Sequence, residues 1–461
     1  MRKTLQLLWK AVQGKEKNFT GGSINRAILM LSVPMILEMV MESLFALIDA
    51  FFVSRVSVDA VATIGLTESV ITLIYSVAIG MSMAATAMIA RRVGEGKPEA
   101  AAVAAVQSIG IVVIMSVIFA VVGFFFAEDI LRLMGAEESV VQSGRNYTRI
   151  LFSTNIVIML LFLLNGIFRG AGDASYAMAA LWIANIINII LDPLLIFGIG
   201  PFPEMGVTGA AVATSIGRSV GVAFQVYLLV RGGGVIKIAI KHLKVAWDVV
   251  RRLLWVGITG TLQFLIASAS WIVLMRIIAL FGSESVAGYT IAIRLIIFTI
   301  LPSWGLANAA ATLVGQNLGA GQPERAEISV WRSAFYNMLF LFTVSVIYFI
   351  GAPPILGLFN DDPEVLQAGI LSIRIISLGY IFFAYGMVIS QAFNGAGDTR
   401  TPTIINFFCF WMLEIPLGYF LAVNLNWELA GVCAAIAISE TVMAIVCIIV
   451  FRKGRWKTVE I

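Results

Sequence analysis

Seven acidic residues lie inside long apolar stretches of this chain, where an ionised side chain is costly. They are Glu38, Glu42, Asp49, Glu68, Asp192, Glu414 and Glu440. A charge at the centre of a membrane costs roughly 2.5–3.5 kcal/mol on insertion scales. Carboxyl groups that are kept at this cost are typical of sites that bind a proton or a cation, so these residues are the first functional candidates.

Three of these acids share one helical face, and a second face combines one acid with two amides. At about 100° per residue, Glu38, Glu42 and Asp49 fall within about 40° of one another. The residues of the second face are Asn185, Asn188 and Asp192, which fall within about 60° of one another. Each face can therefore present its polar groups to a common interior.

We predict that the two faces form a polar pocket with Asp49 and Asp192 at its centre. The other coupling-ion candidates are Tyr147, Asn165, Asn185, Asn188 and Thr214. Two carboxylates taken out of water cannot both stay ionised without a counter-charge, so the pair could carry a proton between the two sides. Alternatively, hard oxygen ligands form a nest that suits Na⁺, and the residues of that metal site are Asp49, Asn188, Asp192 and Thr214. Interhelical hydrogen bonding alone is the remaining interpretation.

Further candidates line the path of a substrate. Glu38 and Glu42 lie nearer the start of their apolar stretch, so they are candidates for the cavity entrance. Trp271 and Met275 belong to a second half that is rich in Phe, Trp and Met, and they are candidates for a lipophilic surface.

Two arginines, Arg294 and Arg374, also lie in apolar stretches of the second half. An acid on a neighbouring helix, such as Glu414 or Glu284, is their expected partner.

The composition requires a membrane as the solvent of these stretches. Sixty per cent of the residues are hydrophobic and only 13% are charged, which is too little polar surface for a soluble chain of 461 residues. Apolar runs of about 20 residues, the length that crosses a ~30 Å core, recur between short polar breaks. We predict twelve transmembrane helices, at 28–53, 64–90, 101–126, 147–169, 174–199, 207–230, 253–280, 287–314, 328–350, 367–393, 401–423 and 429–451. The fold class is therefore an all-α polytopic membrane protein.

Basic residues are concentrated on one side of these helices. Together with both termini and Arg332, just inside the ninth predicted helix, the breaks on that side hold 23 of the 31 Lys and Arg residues. We call this side the basic face and the opposite side the acidic face; the basic face is expected to be cytoplasmic. The net charge of +4 thus reflects topology and does not indicate nucleic-acid binding. The first 26 residues do not form a cleavable signal; they are either an interfacial helix or a basic tail.

Sequence motifs recur at a spacing of 225 residues. FRGAGDAS (168–175) returns as FNGAGDTR (393–400), and GEGKPEAA (94–101) returns as GAGQPERA (319–326). The glycines are expected to supply left-handed helix ends, and Asp173 and Asp398 to cap the helices that follow. The chain is therefore two six-helix bundles, related by a pseudo-twofold axis along the membrane normal.

The repeat sets the domain boundaries. It also shows which charged residues occur in the first half and have no charged counterpart in the second. The segments are a basic N-terminal segment (1–26), an N-lobe (27–230), a linker (231–252), a C-lobe (253–452) and a tail (453–461). The counterparts of the three acids of the first helix are Gln263, Ala267 and Leu274, none of which is charged. The acidic face of that helix therefore belongs to the N-lobe alone.

Several functional classes are disfavoured by what the motifs lack. Lys97 is followed by Pro98, and no GxxxxGK[ST] motif is present, so a nucleotide site is not expected. The three cysteines (Cys409, Cys433 and Cys447) have neither metal nor redox spacing. The breaks contain no catalytic loop, so we expect a transporter without a cofactor and not an enzyme.

The doubled layout and its paired loops resemble the multidrug and toxic compound extrusion (MATE) family, over about residues 24–452. The acidic N-lobe is similar to the subgroup that contains the DNA-damage-inducible F proteins. The resemblance implies a V-shaped pair of bundles that exports amphipathic cationic small molecules in exchange for H⁺ or Na⁺. It implies a coupling role for Asp49, Asn188 and Asp192 and, less specifically, for Tyr147, Asn165 and Thr214.

The remaining expectations concern the setting of the protein and an alternative function. A monomer in the inner or plasma membrane is expected, multi-pass, with the lipid bilayer as its surroundings and no nucleic-acid partner. The alternative function, from the same wider superfamily, is a flippase of lipid-linked oligosaccharides. Such a protein would need several cationic groups for a pyrophosphate, and Arg218, Arg294 and Arg374 keep this alternative open.

Pro34 is the predicted hinge of the first helix. It removes one backbone hydrogen bond four residues before Glu38, and the repeat has Thr259 in its place. We expect Pro34→Ala to slow transport, because the helix would then exchange less readily between bent and straight forms. Transport at the wild-type rate in reconstituted vesicles would rule out the hinge.

Overall fold

The structure is a computed structural model of the chain. It describes residues 2–16, 18–53 and 55–461, without the side chains of residues 2–5, 50, 58, 59 and 61. Every regular element in the described residues is helical, and none of these residues is in a strand. The all-α fold class is thereby confirmed.

The first half of the chain forms eight helices among the described residues. They are α1 (Arg2–Val12), α2 (Ile24–Val53), α3 (Val58–Gly94), α4 (Pro98–Leu133), α5 (Glu138–Ser153), α6 (Asn155–Ala171), α7 (Ala174–Ile196) and α8 (Val207–Arg231). Helix α1 precedes the bundle. Ala11 of this helix is buried and Trp9 is exposed, so the N-terminal segment is an amphipathic helix with one side against the protein.

The second half repeats this order. Its helices are α9 (Trp247–Ile278), α10 (Ser283–Gly319), α11 (Pro323–Leu356), α12 (Pro363–Leu378), α13 (Tyr380–Ala396), α14 (Arg400–Asn406), α15 (Ile415–Tyr419) and α16 (Glu428–Arg452). Two π-helical segments, Phe407–Glu414 and Phe420–Asn424, continue α14 and α15, so that 400–424 is one helical rod.

The membrane crossings agree with the twelve predicted helices. Within the described residues, nine helices are long and apolar enough to cross alone, and two bent pairs raise the number to eleven. Helix α2 has 30 residues, or about 45 Å at 1.5 Å per residue, and completes the twelve. Pro34 lies within α2, which runs unbroken from Ile24 to Val53, so this structure contains no break at the predicted hinge.

Two of the predicted helices are broken where the sequence indicated single spans. The fourth crossing consists of α5 and α6, which meet at Thr154 with a bend of 43°. The tenth consists of α12 and α13, which meet at Gly379 with a bend of 58°. Thr154 and Gly379 are 225 positions apart. The bend is therefore a feature of the repeated unit, and hydropathy missed it because both arms are apolar.

The repeated GAGD turn behaves as predicted at its glycines. Gly172 and Gly397 end α6 and α13 in the left-handed region, at φ 88° and 91°. The aspartates differ from each other. Asp398 accepts a hydrogen bond from the backbone N–H of Thr401 at 3.1 Å, as a cap would. Asp173 accepts one from the backbone N–H of Val235, and so ties the linker to the N-lobe.

The two lobes meet on the basic face. In the described part of the chain, every hydrogen bond between the lobes lies there, and Gln316, for example, donates to the backbone oxygen of Gly170 at 3.0 Å. The backbones are also in close contact, because a Cβ on Gly319 would lie 2.1 Å from the backbone oxygen of Arg91. The structure is thus closed on the basic face. Because no hydrogen bond joins described residues of the two lobes nearer the acidic face, we infer that a cleft between the lobes opens there.

Substitution at this contact is expected to destabilise the protein. In Gly319→Ala the added methyl group has no space against rigid backbone, so we expect a loss of about 1–3 kcal/mol, seen as a lower midpoint of thermal unfolding. Gly110→Ala is the control, because its Cβ would meet open space; it should be neutral or gain up to about 1 kcal/mol. Equal midpoints for the two variants would contradict the close contact.

Candidate functional site

Helices α2 and α7 lie side by side with a constant register between their polar residues. The side-chain nitrogen of Asn185 donates to Glu42 Oε2 at 3.2 Å. One step of seven residues further along both helices, the carboxyl groups of Asp49 and Asp192 interact directly. The two predicted faces therefore meet, and they do so as matched pairs along the membrane.

The pair Asp49 and Asp192 lies inside the N-lobe, between α2 and α7. Asp192 is 0% exposed and Asp49 is partly buried. The two side chains lie within hydrogen-bonding reach of each other. Because two ionised carboxylates offer no donor, a hydrogen bond between them requires one proton. The geometry therefore provides a place for a single proton shared between α2 and α7.

Asn188 and Thr214 complete this centre. The side-chain nitrogen of Asn188 donates to Thr214 Oγ1 at 3.0 Å and to Asp192 Oδ1 at 3.4 Å. Asn188 Oδ1 and Asp192 Oδ2 are buried and accept no hydrogen bond from a described donor. Oxygen atoms of this kind can take a proton or contribute to a Na⁺ shell. The arrangement is therefore compatible with both predicted chemistries, which are proton exchange and the coordination of Na⁺.

Arg218 of α8 supplies a counter-charge that the sequence analysis did not place in the pocket. Its guanidinium group is buried, lies 3.5 Å from Glu42 Oε1, and acts electrostatically on Asp49 and Glu68. The neighbouring Gly217 lets α8 approach α7 closely, since a Cβ there would lie 2.4 Å from a backbone oxygen. The feature of the sequence that could have indicated this role is that Arg218 is a single arginine within the apolar run 207–230.

Glu68 and Tyr147 extend the same electrostatic cluster. Glu68 on α3 lies within electrostatic range of Asp49 and Arg218, although its side chain is exposed at the open cleft. Tyr147 on α5 is buried and lies within range of Asp49 and Asp192. Tyr147 was placed here by prediction, whereas Glu68 had been recognised only as an acid within the membrane.

Asn165 lies in a different cluster, nearer the basic face. Its side-chain nitrogen donates to Glu38 Oε1 at 3.0 Å, and its side-chain oxygen accepts from Gln225 at 2.6 Å. Arg169 Nη1 also donates to Glu38 Oε1, at 3.2 Å. Oε1 of Glu38 therefore has a cation and an amide as partners, whereas its buried Oε2 receives no hydrogen bond from a described group. Asn165 contacts Glu38 and not the central aspartates, and Asn185 likewise contacts Glu42.

A cavity of about 240 Å³ lies between the lobes beside this second cluster. Its polar lining comes from both halves and includes Glu38, Glu42, Arg169, Trp304, Gln391 and Asn394. The predicted entrance residues Glu38 and Glu42 thus do border a cavity. Because this cavity lies above the closed basic face, it forms the floor of the cleft between the lobes.

The C-lobe candidates lie one helical turn apart on α9 but have different surroundings. Trp271 lines a smaller cavity with Glu414 and Glu440. Met275 packs against the apolar core around Leu274 and Tyr289. Only Trp271 therefore borders a space that could admit a ligand.

The expected ion pairs of Arg294 and Arg374 are wrong. Arg374 donates to the backbone oxygen of Phe349 at 2.9 Å and lies over its ring. Among the described residues, no ion pair joins either arginine to Glu414 or Glu284. Spacing along the sequence could not reveal that Arg374 points to a carbonyl at the acidic-face end of α11.

Known proteins share both the sequence pattern and the architecture. The family model MatE matches residues 34–194 and, a second time, residues 261–420. One match falls in each half of the chain, which confirms the internal repeat. A probable multidrug resistance protein NorM from Thermotoga maritima is 27% identical over 434 residues, covering 94% of this chain and 93% of the relative.

Two further comparisons extend over nearly the whole chain. An FAD transporter from Shewanella oneidensis is 29% identical over 431 residues, covering 92% of this chain and 93% of the relative. A crystal structure of MATE in complex with MaD3S is similar with a TM-score of 0.90 and 28% identity, covering 98% of this chain and 99% of that one. The likeness therefore includes both lobes.

Removing the buried counter-charge is expected to destabilise the N-lobe. Arg218→Gln leaves Glu42 and the central acids without their cation, so we expect a loss of about 1.5–3 kcal/mol in thermal unfolding. The double variant with Glu42→Gln should recover part of this loss. Arg145→Gln is the control, because its pair with Glu128 is partly exposed, with side chains 43% and 31% accessible, and is expected to contribute about 0–1 kcal/mol. Equal losses for Arg218→Gln and Arg145→Gln would contradict the role of Arg218.

Proposed function

We propose, from the premise that this chain belongs to the MatE family, that it is a secondary active multidrug exporter. In this proposal H⁺ or Na⁺ enters in exchange for amphipathic cationic compounds, by alternating access. Family membership establishes a multi-pass membrane transporter and not an enzyme. The coupling ion, the cargo and the transport cycle are the proposed part.

The proximity of the Asp49 and Asp192 carboxyl groups, on facing positions of α2 and α7, is the observation that carries the proposal. In a low-dielectric interior, two adjacent carboxyl groups strongly favour having one proton or one cation between them. Losing that ion increases the repulsion between α2 and α7, and gaining it removes the repulsion. The occupancy of the pair therefore biases the packing of these two helices, which is what coupling requires.

The balance of charges favours a cationic cargo. Arg169 faces Glu38 at 3.2 Å and Arg218 faces Glu42 at 3.5 Å, so each arginine has a carboxylate beside it. The acids that remain in the N-lobe are Asp49, Asp192 and Glu68. A compound that brings a positive charge into the open cleft is attracted by this excess of acidic groups.

The alternative, a transporter of anionic or lipid-linked cargo, also has an observation in its favour. The relative from Shewanella oneidensis is an FAD transporter, and FAD carries a pyrophosphate. Arg169 borders the central cavity and could meet such a group if Glu38 released it. We rank this function second because both buried arginines are already paired.

The setting of the protein follows from the positive charges of the basic face. We propose that it works as a monomer in the inner or plasma membrane, with both termini in the cytoplasm. The closed basic face is then the cytoplasmic side, and the open cleft faces outwards. This is the state in which an exporter releases its cargo and takes up a coupling ion.

Reconstituted vesicles test the proposal. A pH gradient or a Na⁺ gradient is imposed separately, and uphill movement of a fluorescent cation is followed. We expect one gradient to drive wild-type transport, and we expect Asp49→Asn and Asp192→Asn to abolish uphill transport by removing the ion-dependent charge. Asp248→Asn, at the exposed start of α9, is the matched control and should transport normally.

The outcome that contradicts the proposal is gradient-driven transport that survives in both aspartate variants. Replacing the fluorescent cation with FAD or a lipid-linked pyrophosphate tests the alternative. If those compounds move uphill and the fluorescent cation does not, the alternative function becomes the better supported of the two.

A further inference from the structure

A second pair of acids lines a small, mostly apolar cavity within the C-lobe, with four aromatic side chains in its wall. The cavity has a volume of about 60 Å³ and lies among α9, α10, α13, α16 and the π-helical segment before α15. The residues on its wall that matter for its chemistry are Trp271, Tyr289, Tyr380, Phe383, Glu414 and Glu440. None of them contributes to the Asp49–Asp192 centre.

Glu414 is buried without a partner. Its side chain is 2% exposed and lines the cavity. Within the described residues it makes neither an ion pair nor a hydrogen bond. Glu440 on the same cavity has a buried Oε2 that likewise receives no hydrogen bond from a described group. A buried carboxyl group in this condition either takes up a proton or stays ionised beside a cation that joins it.

Comparison with the N-lobe shows that the acids of the C-lobe cavity have no neighbouring arginine among the described residues. In the repeat, the EIP segment that contains Glu414 corresponds to the LDP segment that contains Asp192. Asp192 lies in a cluster that contains the guanidinium group of Arg218. The C-lobe has instead a second acid, Glu440 on α16. The arginine on α10, Arg294, is exposed, and Arg374 is held at Phe349.

The walls of the cavity indicate which cation would fit. Aromatic faces attract ammonium groups, and carboxylates add a direct charge–charge contact. Trp271 is 43% exposed, so the aromatic wall reaches the surface of the lobe. A volume of about 60 Å³ is too small for a drug-sized molecule. It accommodates one small ammonium group.

We propose that the C-lobe cavity is a binding site for the ammonium group of a cationic amine, with Glu414 and Glu440 as its anionic ligands and Trp271 and Tyr289 as its aromatic wall. The inference rests on the proposed cationic cargo for its place in transport, but the site itself can be tested by binding alone. The apolar remainder of such an amine would extend past Trp271 along the lobe.

Binding of n-butylammonium to the purified protein in detergent tests the site. We expect the midpoint of thermal unfolding to rise with the logarithm of n-butylammonium chloride concentration, because the ligand binds the folded state only. Glu414→Gln and Glu440→Gln remove one anionic ligand each and should weaken the apparent affinity by roughly tenfold or more. Both substitutions preserve shape and remove a buried charge, so the variants are expected to fold.

Matched controls identify the chemistry. Glu364→Gln changes an exposed acid of α12 and should respond as the wild type does. The neutral 1-butanol should give no comparable rise, and neither should sodium chloride at the same ionic strength. The proposal is overturned if the wild type does not respond, if Glu414→Gln responds equally, or if 1-butanol or Na⁺ produces the same rise.

Failure of this inference and failure of the proposed function are distinguishable. If n-butylammonium stabilises the wild type but not Glu414→Gln, the site stands even when vesicles show no uphill transport of a cation. If Glu414→Gln binds n-butylammonium normally while Asp49→Asn abolishes transport, the exporter function is supported and the C-lobe binding site is rejected.

Discussion

The cost of an ionised carboxyl group in a low-dielectric interior is the constraint on which this structure depends. Each acid of α2 has partner side chains on a neighbouring helix that offset this cost. Glu38 receives Arg169 and Asn165, Glu42 receives Asn185 and Arg218, and Asp49 meets Asp192. Only the last of these pairs consists of two acids. Within the N-lobe, the pair that consists of two acids is therefore the one through which we propose that an ion controls the packing of α2 and α7.

Much of this arrangement could be predicted from the sequence because it follows from periodicity. The 225-residue repeat and the apolar runs gave the crossings, and the helical angle predicted that Asp49 and Asp192 point to a shared interior. The bends at Thr154 and Gly379 were not predicted, because hydropathy reports the composition of a segment and not the direction of its helix axis. The helix ends also extend beyond the apolar runs, because polar residues there continue the backbone hydrogen bonding outside the membrane.

The partners of the acids were harder to predict than the acids themselves. A long arginine side chain reaches several residues away from its own position, so Arg169, in a turn at the basic face, still contacts Glu38. Asn165 was assigned to the central aspartates because it is polar and within the membrane, yet its height along α6 puts it beside Glu38. This height depends on how far one helix is shifted along its axis relative to another, and that shift is fixed by packing between helices and not by local sequence.

The close approach of glycines on the basic face has a consequence for how tightly the protein retains an ion gradient. Gly94 and Gly319 bring main-chain atoms of α3 and α10 into contact, and Gly80 does the same with α9. A seal formed by main-chain atoms has no flexible side chain that thermal motion could swing aside. Ions cannot leak past it one at a time, and a passage forms only when entire helices separate. In the proposed exchange of ion and cargo, slippage of the gradient would thereby be limited to moments when the lobes themselves change position.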